Sequence, residues 1–258
     1  MIQKVSIPNL IDALDADPPD VSQEIGPYDG MYDYAPDLYF KAGRQALRCI
    51  RLAMLASKLD TVENILDFAS GGGRVLRFLK AAFPDATLTA CDILDHQVEF
   101  CSEEFGATGV VSDPKPDQIE LDGPFDLIWC GSLFTHVDKE PWDGFLSLFQ
   151  SILAPGGIVV FTAYGRSVAE NLRVGPEQLN LTRDQVKDVL RDYDATGFGF
   201  APNVYDGDCV VSRSWLMGQL DKVPELELLL YIEAGWLGQD VIACSRLGSW
   251  RHWTSSSP

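Results

Sequence analysis

The sequence predicts an α/β protein built on a doubly wound, mostly parallel sheet of seven strands with helices on both faces. Three observations predict it. Ile65, Leu66 and Phe68 form a short apolar run that carries one acid, Asp67, as suits a strand buried on both faces. Gly71-Gly72-Gly73 follows at once, where a sharp turn that lets backbone approach a ligand needs residues without side chains. The period then changes: Val75, Leu76, Phe78, Leu79, Ala82 and Phe83 recur at helical spacing, with Arg74, Arg77 and Lys80 on the other face. Apolar runs and helical periods go on alternating from Asn64 to Ser245, the pattern of a parallel sheet with covering helices.

The elements follow in order. Residues 1–60 read as an N-terminal arm and a helix that cap the cleft. Pro18-Pro19 closes a loose arm, and Tyr28, Tyr32, Tyr34, Tyr39 and Phe40 then alternate with Asp29, Asp33 and Asp37. Those rings suit either a cap over a ligand or simple packing on the domain. A helix is expected from Phe40 to Leu59. It carries Arg44, which suits a carboxylate partner bidentately, although such an arginine more often belongs to a solvated helix face. The strand at 65–68, the glycine loop and the helix ending near Pro84 open the main domain, residues 61–247. Thr87 to Cys91 is the second strand, with Asp92 at its tip. Asp95 is placed to cap a helix through Phe105, and Thr108 to Val111 is the third strand. Lys115 to Gly123 is a polar loop. Phe125 to Cys130 is the fourth strand, Trp142 to Leu153 a helix, and Ile158 to Ala163 the fifth strand. Residues 165–211 are too long for an ordinary connection and read as a lid insertion. Within it Thr182-Arg183-Asp184-Gln185 forms a capping box for a helix to Leu190. Ser214 is placed to cap a helix through Leu220. Leu226 to Glu233 and Asp240 to Ser245 are the last strands, and residues 248–258 a frayed tail.

The ligand of the glycine loop can be narrowed by charge. The dinucleotide fingerprint G-x-G-x-x-G fails in both registers: Ala69 and Arg74 replace glycines in one, and Leu76 replaces the last glycine in the other. Asp67, just before the loop, would repel a pyrophosphate and attract an ammonium. S-adenosylmethionine carries an ammonium, a sulfonium and no phosphate. Asp92, 19 residues after Gly73, is placed to accept hydrogen bonds from ribose hydroxyls.

Asp67-Phe68-Ala69-Ser70-Gly71-Gly72-Gly73 resembles the first motif of the class I S-adenosylmethionine-dependent methyltransferases, with Ala69 where glycine is usual. Cys130-Gly131-Ser132-Leu133-Phe134-Thr135-His136 resembles the family's fourth motif, and Leu153-Ala154-Pro155-Gly156-Gly157 its lead into the fifth strand. The likeness covers roughly residues 64–246. It implies a Rossmann-like sheet with one antiparallel edge strand, and S-adenosyl-L-methionine as cofactor with S-adenosyl-L-homocysteine as product. It implies cofactor contacts from Asp67, Ala69, Ser70, Gly71, Gly73, Asp92, Ile93, Cys130 and Leu133, with Arg44 and Asp113 as further candidates. Asp113 is equally a turn acid before Pro114. His136 follows the fourth strand, where acceptor and methyl meet. An imidazole there can serve as the base or can fix the loop. The implied activity is methyl transfer to an O or N of a small-molecule acceptor. A nicotinamide oxidoreductase and a non-catalytic cofactor- or partner-binding protein are the alternatives.

Composition bounds partners. Among 258 residues, 20 Lys and Arg stand against 38 Asp and Glu, a formal charge of −18. A chain this acidic is poorly suited to nucleic-acid phosphates or anionic membranes. Six cysteines form no C-x-x-C pair, and the three histidines join no cluster with metal-ligand spacing, so no metal is expected. Buried thiols in a reducing compartment, no secretory leader and no spanning segment suit a cytoplasmic protein.

Overall fold

The computed structural model describes residues 12–175, 179, 181–203 and 207–247. The expected tail lies outside these. After a helical turn at 12–15 come α1 (Gly30–Tyr34) and α2 (Pro36–Ser57). The main domain then runs β1 (Asn64–Phe68), α3 (Leu76–Ala82), β2 (Thr87–Asp92), α4 (Asp95–Phe105), β3 (Thr108–Val111), β4 (Phe125–Cys130), α5 (Glu140–Ile152) and β5 (Leu153–Ala163). Next are α6 (Arg166–Val174), α7 (Arg183–Thr196), β6 (Phe198–Ala201), β7 (Asp208–Val211), α8 (Arg213–Leu220), β8 (Leu226–Trp236) and β9 (Gln239–Arg246).

Seven strands form one sheet in the order β3-β2-β1-β4-β5-β9-β8. The first five pair in parallel, and β9 runs antiparallel to both β5 and β8. Six strands therefore share a direction. The one reversed strand stands a place in from the edge strand β8. The order turns back between β1 and β4, and the crevice at the carboxyl ends of those strands is where open α/β sheets bind ligands.

Alternate residues of each central strand enter opposite halves of the core. Leu66, Phe68, Ile128, Phe134, Trp142 and Phe149 pack on one side, and Ile65, Leu76, Leu127, Trp129 and Trp236 pack with α2 on the other. Burial on both faces is why β1 and β4 read as continuous apolar runs.

Local chemistry moves several boundaries. Helix α2 begins at Pro36, before the expected Phe40, because proline at the first position presets φ and loses no hydrogen bond there. Helix α4 is preceded by Leu94, not capped by Asp95; the Leu94 amide is taken by the Asp92 carboxylate instead. Ser212, not Ser214, caps α8 by accepting from the Trp215 amide. The capping box of Thr182 and Gln185 is present, and its helix runs on to Thr196. Within 165–211, α6, α7 and the antiparallel hairpin β6–β7 share a small apolar cluster that includes Val168, Leu172, Val189 and Val210.

Candidate active site

The loop after β1 is shaped by backbone conformation. Ala69, Gly71 and Gly73 all have φ in the left-handed region, at 58°, 52° and 75°. A Cβ on Gly73 would collide with the Phe105 ring and one on Gly72 with Asp29 Oδ2. The Ser70 amide donates to Cys91 O at 3.1 Å and the Gly71 amide to Asp92 Oδ2 at 2.7 Å, tying the loop to the tip of β2.

Asp67 lies behind this loop, 1% exposed, and its Oδ2 has no hydrogen-bond partner among the described residues. Burial, and secondarily the nearby Asp92 carboxylate, push its pKa up to about 8 against the pull of Arg74 and the Leu76 amide. A buried carboxylate oxygen without a donor is costly, and an ammonium would satisfy it. Asp92, at 9% exposure, accepts the Gly71 and Leu94 amides, one on each oxygen. A carboxylate offers about four lone-pair sites, so two remain for a pair of hydroxyls. Beside it Ile93 and Val111 are 55% and 57% exposed at the tips of β2 and β3, apolar walls suited to a flat ring. These features fit S-adenosylmethionine part by part.

The other expected residues divide. Ser70 is buried in the loop, and Leu133 opens a short 3₁₀ turn, Leu133–Thr135, after β4. Cys130 is fully buried in the core, and burial holds its thiol protonated; it can meet a ligand through backbone only. Asp113 Oδ1 accepts the Lys115 amide at 2.8 Å, the turn role, and its second oxygen could still accept from another group. Arg44 is a correction. Its half-exposed guanidinium is bonded to Asp17 of the arm, because α2 turns that side chain toward an acid close at hand.

Arg77, expected on a polar helix face, is 1% exposed, another correction. Its guanidinium donates to Gly73 O at 3.1 Å, Gly72 O and the Tyr39 hydroxyl at 3.3 Å, Ser22 O at 2.9 Å and Glu24 O at 2.8 Å. The rings of Tyr39, Phe40 and Phe105 surround it. Tyr39 also donates to the buried Asp29 at 2.5 Å. The aromatic, acidic arm is thereby fastened to the glycine loop. The signal available in the sequence was Arg77 four residues after Gly73, one helical turn above the loop carbonyl.

His136 follows the turn after β4. Ser132 there has φ 66°, and its amide donates to Thr162 Oγ1 while its hydroxyl accepts from Gln239. His136 Nδ1 is 2.9 Å from Gly207 O and 3.5 Å from Asp208 Oδ1, and the side chain is 44% exposed. Tyr164, after β5, has its hydroxyl pushed up to about 12 by burial and, secondarily, by Asp208. Among the described residues no group of three His, Cys, Asp or Glu could hold a metal ion, and no helix is long and apolar enough to cross a membrane.

A glycine loop between two strand-end acids at the switch point is where an α/β protein of this topology can take a nucleoside-type ligand. Residues 66–159 match the model of a methyltransferase domain. Over that stretch the chain is similar to S-adenosylmethionine-dependent methyltransferases. It is 31% identical over 115 residues to a malonyl-[acyl-carrier protein] O-methyltransferase of Methylococcus capsulatus, covering 43% of this chain and 41% of that protein. The chain spans less than half the length of the curated relatives it matches. The fold is shared with an S-adenosylmethionine-dependent methyltransferase from Clostridium acetobutylicum (TM-score 0.58, 15% identity, covering 85% of this chain and 97% of that one). It is also shared with the N-methyltransferase NodS of Bradyrhizobium japonicum, solved with S-adenosyl-L-homocysteine (TM-score 0.52, 15% identity, covering 83% and 90%).

Proposed function

We propose that the protein transfers a methyl group from S-adenosylmethionine to an oxygen or nitrogen of a small-molecule acceptor. The observation that carries this reading is the buried, unpartnered Asp67 oxygen behind a glycine loop whose other side meets Asp92. When bound, the cofactor supplies a methyl carbon activated by its sulfonium. The chain then has to position the acceptor, exclude water and take a proton. Asp67 faces the ammonium, Asp92 takes the ribose hydroxyls, and Ile93 and Leu133 flank the adenine, with Asp113 at its amino group. Alignment of this kind supplies roughly 7–11 kcal/mol of barrier lowering. His136 accepts the acceptor proton. The arm, fastened by Arg77, covers the loop.

The malonyl-[acyl-carrier protein] enzymes among the relatives suggest a second reading, a carboxylate acceptor. The buried Asp208 beside His136 disfavours a second negative group there. We therefore favour a neutral hydroxyl or an amine as the group methylated.

Calorimetric titration with S-adenosylmethionine, S-adenosylhomocysteine and NAD tests the cofactor; binding of NAD and neither of the others would overturn the reading. Release of S-adenosylhomocysteine across a panel of phenols, amines and carboxylates tests the acceptor. His136→Gln should leave cofactor affinity intact and slow turnover roughly 10²–10⁴-fold; near-full turnover in the folded variant makes the histidine structural.

A further inference from the structure

We propose that Asp208 is the positioning carboxylate of His136, so that the lid hairpin, and not the sheet alone, completes the base. This rests on the reading of His136 as the proton acceptor.

The geometry assigns the tautomer. Nδ1 lies 2.9 Å from Gly207 O, and a carbonyl only accepts, so Nδ1 carries the hydrogen and Nε2 keeps its lone pair. Asp208 Oδ1 stands 3.5 Å from the same nitrogen, too far to replace that bond but close enough to pair with a charged ring. When the acceptor's O–H or N–H bond breaks and Nε2–H forms, a cation appears beside a carboxylate that is already fixed. The half-exposed ring can then return the proton to solvent.

Asp208 is held for this role. It is 4% exposed, and its Oδ2 accepts from Asn203 Nδ2 at 2.7 Å. Burial raises its pKa, and His136 is the largest influence that lowers it. Strand β7 is anchored on both sides of the site: the Cys209 thiol donates to Phe134 O at 3.0 Å, and the Val211 amide to Tyr164 O at 2.8 Å. Phe134 belongs to the turn that ends at His136, so ring and carboxylate are set by one clamp. The other ionisable groups acting on this corner are Asp138, on the same loop as His136, Tyr164 after β5 and Tyr34 of α1. None of these is a cation, so among the described residues His136 is the group there that Asp208 can pair with.

Three measurements test this. Nitrogen-15 spectra of the neutral His136 ring in the wild type should show hydrogen on Nδ1 and a bare Nε2; hydrogen on Nε2 overturns the proposal. Carbon-13 titration of the Asp208 carboxyl should show a higher midpoint in His136→Gln than in the wild type, because the charge opposing burial is gone; an unmoved midpoint overturns the pairing. With an acceptor that the wild type turns over, Asp208→Asn should lower kcat about ten- to a hundredfold with little change in KM; unchanged kcat overturns the positioning role. The two spectroscopic tests need no acceptor and no Asp208 variant. Full turnover in His136→Gln sinks the base reading itself. A slow His136→Gln with a fully active Asp208→Asn sinks only the role of Asp208.

Discussion

Replacing Arg77 by Met isolates what the buried guanidinium contributes. Methionine keeps an unbranched apolar stem among Tyr39, Phe40 and Phe105 but cannot make the five hydrogen bonds. Most acceptors keep a donor. Gly73 O keeps the Arg77 amide at 3.2 Å, and Gly72 O is left with a share of the single Tyr39 hydroxyl hydrogen, at 3.2 Å, that goes mainly to Asp29. Ser22 O and Glu24 O lie on the arm, where water can replace the lost donor. The loss is therefore less than the sum of the bonds. A hydrogen bond to a charged group contributes about 1.5–3 kcal/mol, and relief of the buried charge's desolvation offsets part of it. We expect about 2–4 kcal/mol. At roughly 2–4 °C per kcal/mol for a chain of this size, thermal unfolding should shift down by about 4–16 °C. The arm should loosen as well, so protease cleavage near residues 20–35 should speed up in the native state. Arg77→Lys should recover only part, since an ammonium cannot span acceptors placed for a planar fork. A melting temperature within two degrees of wild type, with unchanged arm cleavage, would refute this account.

Four further outcomes follow from the loop and its flanking acids. Asp92→Asn should weaken S-adenosylmethionine binding by about 1.5–3 kcal/mol, read by calorimetry, because the hydroxyls lose a charged acceptor; equal affinity in a folded variant would mean that Asp92 serves the backbone only. Ala69→Gly should raise the denaturation midpoint slightly: a left-handed alanine costs about 1–2 kcal/mol and the added chain entropy of glycine about 0.4–1. A lowered midpoint would mean that the methyl is needed for packing. Asp67 is held protonated by burial up to about pH 8, so the folded state binds its proton more tightly than the unfolded one. Its contribution to stability is complete below the ordinary carboxylate pKa, near 4, and is lost as pH rises from there to about 8. That slope should be missing in Asp67→Asn. Cofactor binding near pH 7 should release a proton, seen as a heat that depends on the buffer; no buffer dependence would mean that the ammonium does not face Asp67.

The sequence by itself determined the sheet and the places of the glycine loop and the strand-tip acids in it. Periodicity carries that information: β1 and β4 are mostly apolar, Asn64, Asp67 and Asp126 apart, because both faces are covered, and the glycines follow β1 because the turn needs left-handed backbone. Asp92 was legible because a strand tip has one place in such a fold. Tertiary structure decided what depends on residues far apart in the chain. Arg44 and Arg77 both lie on helices with one apolar face, yet one meets Asp17 in solvent and the other is enclosed by an arm 53 to 55 residues upstream. Helical spacing fixes which residues share a face, and it does not say what will cover that face. His136 was visible as a candidate, and Asp208 was not, because the two lie 72 positions apart and meet only when the β6–β7 hairpin folds onto the loop after β4.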